Sequence, residues 1–235
     1  MQEKIPTSLK IFSLLIIWVL TMLGIHLLFR LQTITFIRNN LAILNCAILI
    51  YVPLVATWKL KPPLPLFEKT LGQLFASLKL FIIFSIVIFP IMLGLNHLLQ
   101  KGVFNFIFFG FVTFSRNFAP THEWQEFLTA IPYQLFFVAL PEEFFFRSYM
   151  QTFLNEYFGK PFRFLGAQVG WGLVLTSLLF AISHSFIYVQ WWHFSIFFPS
   201  LVFGWLREKT GSITASVLFH ATSNLFSLWV AMNYR

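Results

Sequence analysis

The sequence predicts an all-α polytopic membrane protein, a bundle of about seven to eight transmembrane helices around a polar cavity within the membrane, and three observations carry that prediction. The first is composition: of 235 residues, 58% are hydrophobic and 20% aromatic, with 33 Phe, and only 10% are charged. A mean hydropathy of +0.77 is more apolar surface than a water-soluble domain can hide. The second is run length, because several apolar stretches approach the about 20 residues that a helix needs to cross hydrocarbon. The third is that ionisable and amide side chains recur inside those stretches, where a charge costs at least about 2.5 kcal/mol.

The elements follow in order. Lys4 and Lys10 precede an apolar run from Ile11 to Phe29 that closes at Arg30, which predicts a helix near 9–30. The run is too long for the apolar part of a secretory leader and has no A-x-A-like cleavage site, so it reads as a retained first span. Further helices are expected near 41–58 and 72–99. Between them, Lys61-Pro62-Pro63-Leu64-Pro65 bars a helix, since each proline removes a backbone donor. A short aromatic run at 103–113 is too brief to span. A strong segment begins near Glu123 and passes through Tyr149 towards Phe158, and later helices are expected near 165–186, 190–206 and 212–232. The chain reads as one membrane domain over 1–235, with N-terminal helices in 1–100, a C-terminal core over 125–232 and no internal repeat.

The net charge of +8 comes from small Lys and Arg groups between the apolar runs, as in membrane-flanking anchors. Without a basic stripe or an RNA-binding motif, nucleic acid is excluded as a partner. Cys46 is the single cysteine, which rules out an internal disulfide and leaves no thiolate cluster for a metal. If 103–113 does not cross, Lys4, Lys10, Lys160, Arg163 and Lys209 share one side with Arg147, and the positive-inside rule makes that side cytoplasmic.

Three patterns carry the chemistry: Glu142-Glu143-x-x-x-Arg147, Phe180-x-x-x-His184 and His220-x-x-x-Asn224. Residues four apart share a helix face, so Glu143 pairs with Arg147 while Glu142 points about 100° away and stays available. Pro141, just before, predicts a local irregularity. Each pattern has an ordinary explanation: glutamates at an interfacial helix end, a packed histidine, or polar side chains joining helices. Three such patterns on three apolar helices are harder to explain that way. One carboxylate, two imidazoles and an amide suit amide hydrolysis, with Glu142 and His184 activating a water and His220 with Asn224 donating to the oxyanion. A zinc site through Glu142, His184 and His220 is the alternative. It is not favoured, because H-E-x-x-H is absent and ligation would consume the best base.

The ordered set resembles the three motifs of the CPBP intramembrane proteases, also called the Abi or CAAX-protease family, over roughly residues 125–232. That resemblance implies a glutamic-type intramembrane endopeptidase without a cofactor. Glu142 would activate the water, with Glu143 and Arg147 in support, His184 as second water-holder, and His220 with Asn224 as oxyanion site. It also implies a membrane-tethered protein or hydrophobic peptide as substrate and a multi-pass place in a bacterial inner membrane, where the charge bias puts the N-terminus on the cytoplasmic side. Two rival classes are a non-catalytic scaffold or immunity protein that binds a hydrophobic peptide, and a proton-coupled transporter. The absence of repeat-related halves weighs against the transporter. His26, His97, His122 and His193 are expected to be interfacial, and Phe144, Phe145 and Phe146 to form either a cavity wall or a lipid face.

Overall fold

The computed structural model describes residues 7–58, 64–101, 117–120, 123–186 and 189–234. The aromatic run at 103–113, His122, Pro62 and Pro63 lie outside the described residues.

Among the described residues the chain folds as helices with one small hairpin. Helix α1 spans Thr7–Arg30, α2 Thr35–Thr57 and α3 Leu71–Gln100. A long helix, α4, covers 124–158, followed by strands β1 (Phe162–Phe164) and β2 (Ala167–Val169). Helix α5 spans Trp171–Ser185, α6 spans Phe197–Thr210 after a tight lead-in turn at Trp191–Ile196, and α7 spans Thr214–Asn233.

α1, α2, α3 and α7 are each long and apolar enough to cross a membrane, which makes this a multi-pass membrane protein. The other helices do not meet that requirement, for visible reasons. α4 carries Glu142, Glu143 and Arg147 at its centre, α5 has only 15 residues, and α6 ends in charge at Arg207 and Lys209.

α4 is one helix, as its apolar run predicts, but its winding changes twice. Wider π turns occupy Gln134–Ala139 and Phe144–Met150, on either side of Leu140–Glu143. Their signature is a bond reaching back five residues, from Leu140 N–H to the Leu135 carbonyl and from Gln151 N–H to that of Phe146. Pro141 sits between them with no N–H to give, and its ring crowds the carbonyl four residues back, so a wider turn relieves the clash. The first half of α4 is mostly exposed, whereas residues 143–152 are buried on every side. That stretch is the axis of the bundle. Phe145, Phe146 and Met150 pack there against Trp18 and Met22 of α1, Leu173 and Phe180 of α5, Phe203 and Leu206 of α6, and Phe219 of α7.

The helix expected from 165 begins later, at Trp171, because the chain first makes the hairpin. Phe162 pairs with Val169 across a two-residue turn in which Leu165 (φ 47°) and Gly166 (φ 78°) both lie in the left-handed region. α5 then starts tight against the end of α4: a Cβ on Gly172 would stand 2.4 Å from Asn155 Oδ1, so only glycine permits this approach.

Candidate functional site

α4, α5 and α7 bring the polar residues together. Glu143 and Arg147 are fully buried and paired, with Arg147 Nε donating to Glu143 Oε2 at 3.1 Å. The other carboxylate oxygen, Oε1, lies 3.1 Å from His220 Nδ1. Arg147 also donates through Nη2 to Ser200 Oγ of α6 at 2.8 Å. Its guanidinium lies over the rings of Phe180 and Phe203, 5.0 and 5.8 Å from their centroids. A buried cation needs this much company, since removing the partner of such an ion pair costs about 3–5 kcal/mol.

The imidazole of His220 is held on its faces as well as its edge. Phe203 stacks on it at 4.7 Å and 14°, and Phe180 meets it edge-on at 5.6 Å. Its Nε2 faces Glu142 Oε2 at 3.8 Å, beyond hydrogen-bond range. That oxygen of Glu142 is buried and makes no hydrogen bond among the described residues. The two adjacent glutamates therefore have different fates, one locked between Arg147 and His220 and the other unengaged.

Glu142 opens onto a cavity of about 70 Å³ that it shares with His184, Ser183 and Phe146, walled on the far side by Met22, Ile25 and Leu49 of α1 and α2. His184 Nδ1 lies 2.8 Å from the Phe180 carbonyl oxygen. A carbonyl only accepts, so Nδ1 carries a proton, and in the neutral ring the Nε2 lone pair is free to accept. α1 is pinned to this end of α5 by Trp18 Nε1 donating to Ser183 Oγ at 2.9 Å and by His26 at the Phe186 carbonyl.

Asn224, on the same face of α7 as His220, is engaged elsewhere: its Nδ2 donates to Gln134 Oε1 at 3.0 Å, in the first wide turn of α4. Of the six residues expected from sequence, Glu142, Glu143, Arg147 and His220 form one connected group. His184 joins them through the cavity, and Asn224 lies one turn further along α7. Among the described residues no group of three His, Cys, Asp and Glu side chains is arranged to hold a metal ion.

Sequence reasoning missed Gln134, Ser200 and Phe203; His193, expected to be interfacial, has its ring 6.2 Å from that of His184 and its Nδ1 3.4 Å from Ser185 Oγ. Gln134 was the one with a signal, an isolated amide in an apolar run. The three phenylalanines after Glu143 are all buried, which excludes the lipid face, but Phe144 and Phe145 pack into the core and do not line the cavity. Phe146 lines the cavity itself.

The loop at 64–70 fixes the site from one side. Glu68 accepts from Ser212 Oγ and Thr214 Oγ, both at 2.6 Å, at the start of α7. Ile213 N–H donates to the Leu66 carbonyl at 2.8 Å, and Ser148 Oγ of α4 to that of Pro65 at 2.7 Å.

Residues 124–226 match the family model described as type II CAAX prenyl endopeptidase Rce1-like. The matched family is a CPBP family of peptidases, and the matched segment contains all six residues discussed above. No curated protein and no solved structure matches the chain.

Proposed function

We propose that the protein is an intramembrane endopeptidase that hydrolyses a peptide bond in a membrane-tethered protein or hydrophobic peptide. The observation that carries this reading is the split between neighbouring carboxylates: Glu143 spent on Arg147 and His220, Glu142 unengaged at a cavity with His184. Glu142 and the Nε2 lone pair of His184 hold a water, and Glu142 takes its proton as the oxygen attacks the carbonyl carbon. With Glu143 accepting from Nδ1, a protonated His220 keeps an N–H at Nε2 for the oxyanion, and Asn224 adds its amide once released from Gln134. The proton held by Glu142 passes to the leaving nitrogen as the C–N bond breaks. The charge pattern supports a site nearer the cytoplasmic face, with the N-terminus on that side.

The test is cleavage of a tethered peptide library in liposomes by wild type and Glu142→Ala, each with and without a strong chelator. The expected result is cleavage by the wild type that survives the chelator and vanishes in the variant. Cleavage by Glu142→Ala at the wild-type rate overturns the reading, and loss with chelator alone moves Glu142, His184 and His220 to a metal-binding role.

A further inference from the structure

A second cleft, of about 320 Å³, lies apart from the carboxylates, under the β1–β2 hairpin. It is lined by Phe162, Phe164 and Leu165 of the hairpin, Phe84 of α3, Val174 of α5 and Trp205 of α6. Alternate residues of a strand share a face, so Phe162 and Phe164 both turn to the cleft and Arg163 turns away. Trp205 Nε1 donates to the Phe164 carbonyl at 2.9 Å, which ties the hairpin over the gap.

Three features point to the occupant. The lining is apolar throughout, the condition for an acyl chain and not for a peptide backbone, which brings amides that need partners. Leu165 occupies a left-handed turn position at φ 47°, normally given to Asn, Asp or Gly, yet its side chain is 67% exposed. A strained, exposed leucine at a turn tip has no packing reason inside the protein, and lipid contact supplies one. Finally, the rim carries a cation. Lys209 Nζ reaches the Leu165 carbonyl at 3.3 Å and borders Gly166, one helical turn on from Trp205, and it meets no carboxylate among the described residues.

We propose that this cleft binds one acyl chain of an anionic phospholipid, whose headgroup sits on Lys209, and that the hairpin is an interfacial finger closing over it. The proposal is independent of the peptidase reading. It concerns α6 from its other side: Ser200 and Phe203 of the same helix touch Arg147 and His220.

Trp205 gives a direct readout, since bromine on an acyl chain quenches an indole in contact with it. The full chain in detergent micelles is titrated with dibrominated phosphatidylglycerol or dibrominated phosphatidylcholine, and the signal of Trp205→Phe is subtracted from that of the wild type. The expected result is Trp205-dependent quenching with phosphatidylglycerol binding about fivefold tighter, the order expected for one cation near an anionic headgroup. Lys209→Gln, at an exposed position, should erase that preference while Arg163→Gln, on the far face of the hairpin, should keep it, and Val174→Trp should suppress quenching by filling the cleft. Equal quenching by both lipids, unchanged in Lys209→Gln, means ordinary boundary lipid and overturns the proposal. So does a lack of Trp205-dependent quenching, or displacement of both lipids alike by a farnesylated peptide, which would assign the cleft to a substrate's own tail.

Discussion

Nδ1 of His220 stands 3.1 Å from Oε1 of Glu143, on an imidazole whose other nitrogen faces Glu142. Glu143, a carboxylate that accepts, therefore keeps a proton on Nδ1 of His220 in either charge state of the ring, and its own position is set by Arg147. Replacing Glu143 with Gln keeps the shape and removes the charge, leaving a buried guanidinium without its counter-ion. The expected loss is about 3–5 kcal/mol of stability. Adding Arg147→Met should return most of that stability without returning activity, measured by thermal unfolding and peptide cleavage on the same samples.

Glu142→Gln is expected to behave in the opposite way. Its Oε2 makes no hydrogen bond among the described residues, so unfolding should shift little while turnover falls about 100- to 10,000-fold, the range for removing a general base. A large stability loss with partial activity would assign Glu142 a packing role.

Asn224 and Gln134 offer a sharper comparison. If Asn224 leaves Gln134 to meet the oxyanion, Asn224→Ala should cost about 100- to 1,000-fold in kcat. Gln134→Ala, which frees the amide, should cost far less. Equal losses in kcat for the two variants would mean that their 3.0 Å bond serves only to join α4 and α7.

Outside the membrane-spanning segments, Glu68 carries a pH dependence. Burial acts to raise its carboxyl, but the hydrogen bonds from Ser212 and Thr214 outweigh it and hold the group below its ordinary carboxylate value. A lowered folded value means stability that is present above the unfolded value of about 4.3 and is lost as pH falls through the folded one. Wild type should exceed Glu68→Gln by about 1 kcal/mol at neutral pH. The gap should close in acid below pH about 4, and a constant gap in unfolding experiments would remove Glu68 from that role.

Much of this was legible because the chemistry is local. Glu143 and Arg147 are four apart on one helix, so their pairing follows from helical spacing, and the helix from Glu123 to Phe158 follows from its apolar run. What the sequence hides is where a side chain points once helices pack. Nothing in it says that His220 bonds Glu143 more closely than it approaches Glu142, that Ser200 reaches Arg147, or that Asn224 is taken by Gln134. The hairpin escaped because Phe162 to Val169 is apolar enough to extend the next helix, and Leu165 is an unlikely residue for its turn. The number of crossings stayed coarse for a related reason, since apolarity marks buried helices and spanning ones alike.

α5, the 15-residue helix that bears His184, rises about 22 Å from end to end, well short of the about 30 Å of hydrocarbon in an ordinary bilayer. Were α5 to cross the bilayer, lipid beside it would have to thin or the headgroups dip to meet its ends. His184 sits at the last turn of that helix, so such a dip would carry the aqueous boundary to the imidazole. For the proposed hydrolysis, water would then reach a site with greasy walls through a shallow place in the membrane, and bilayer thickness would control its rate.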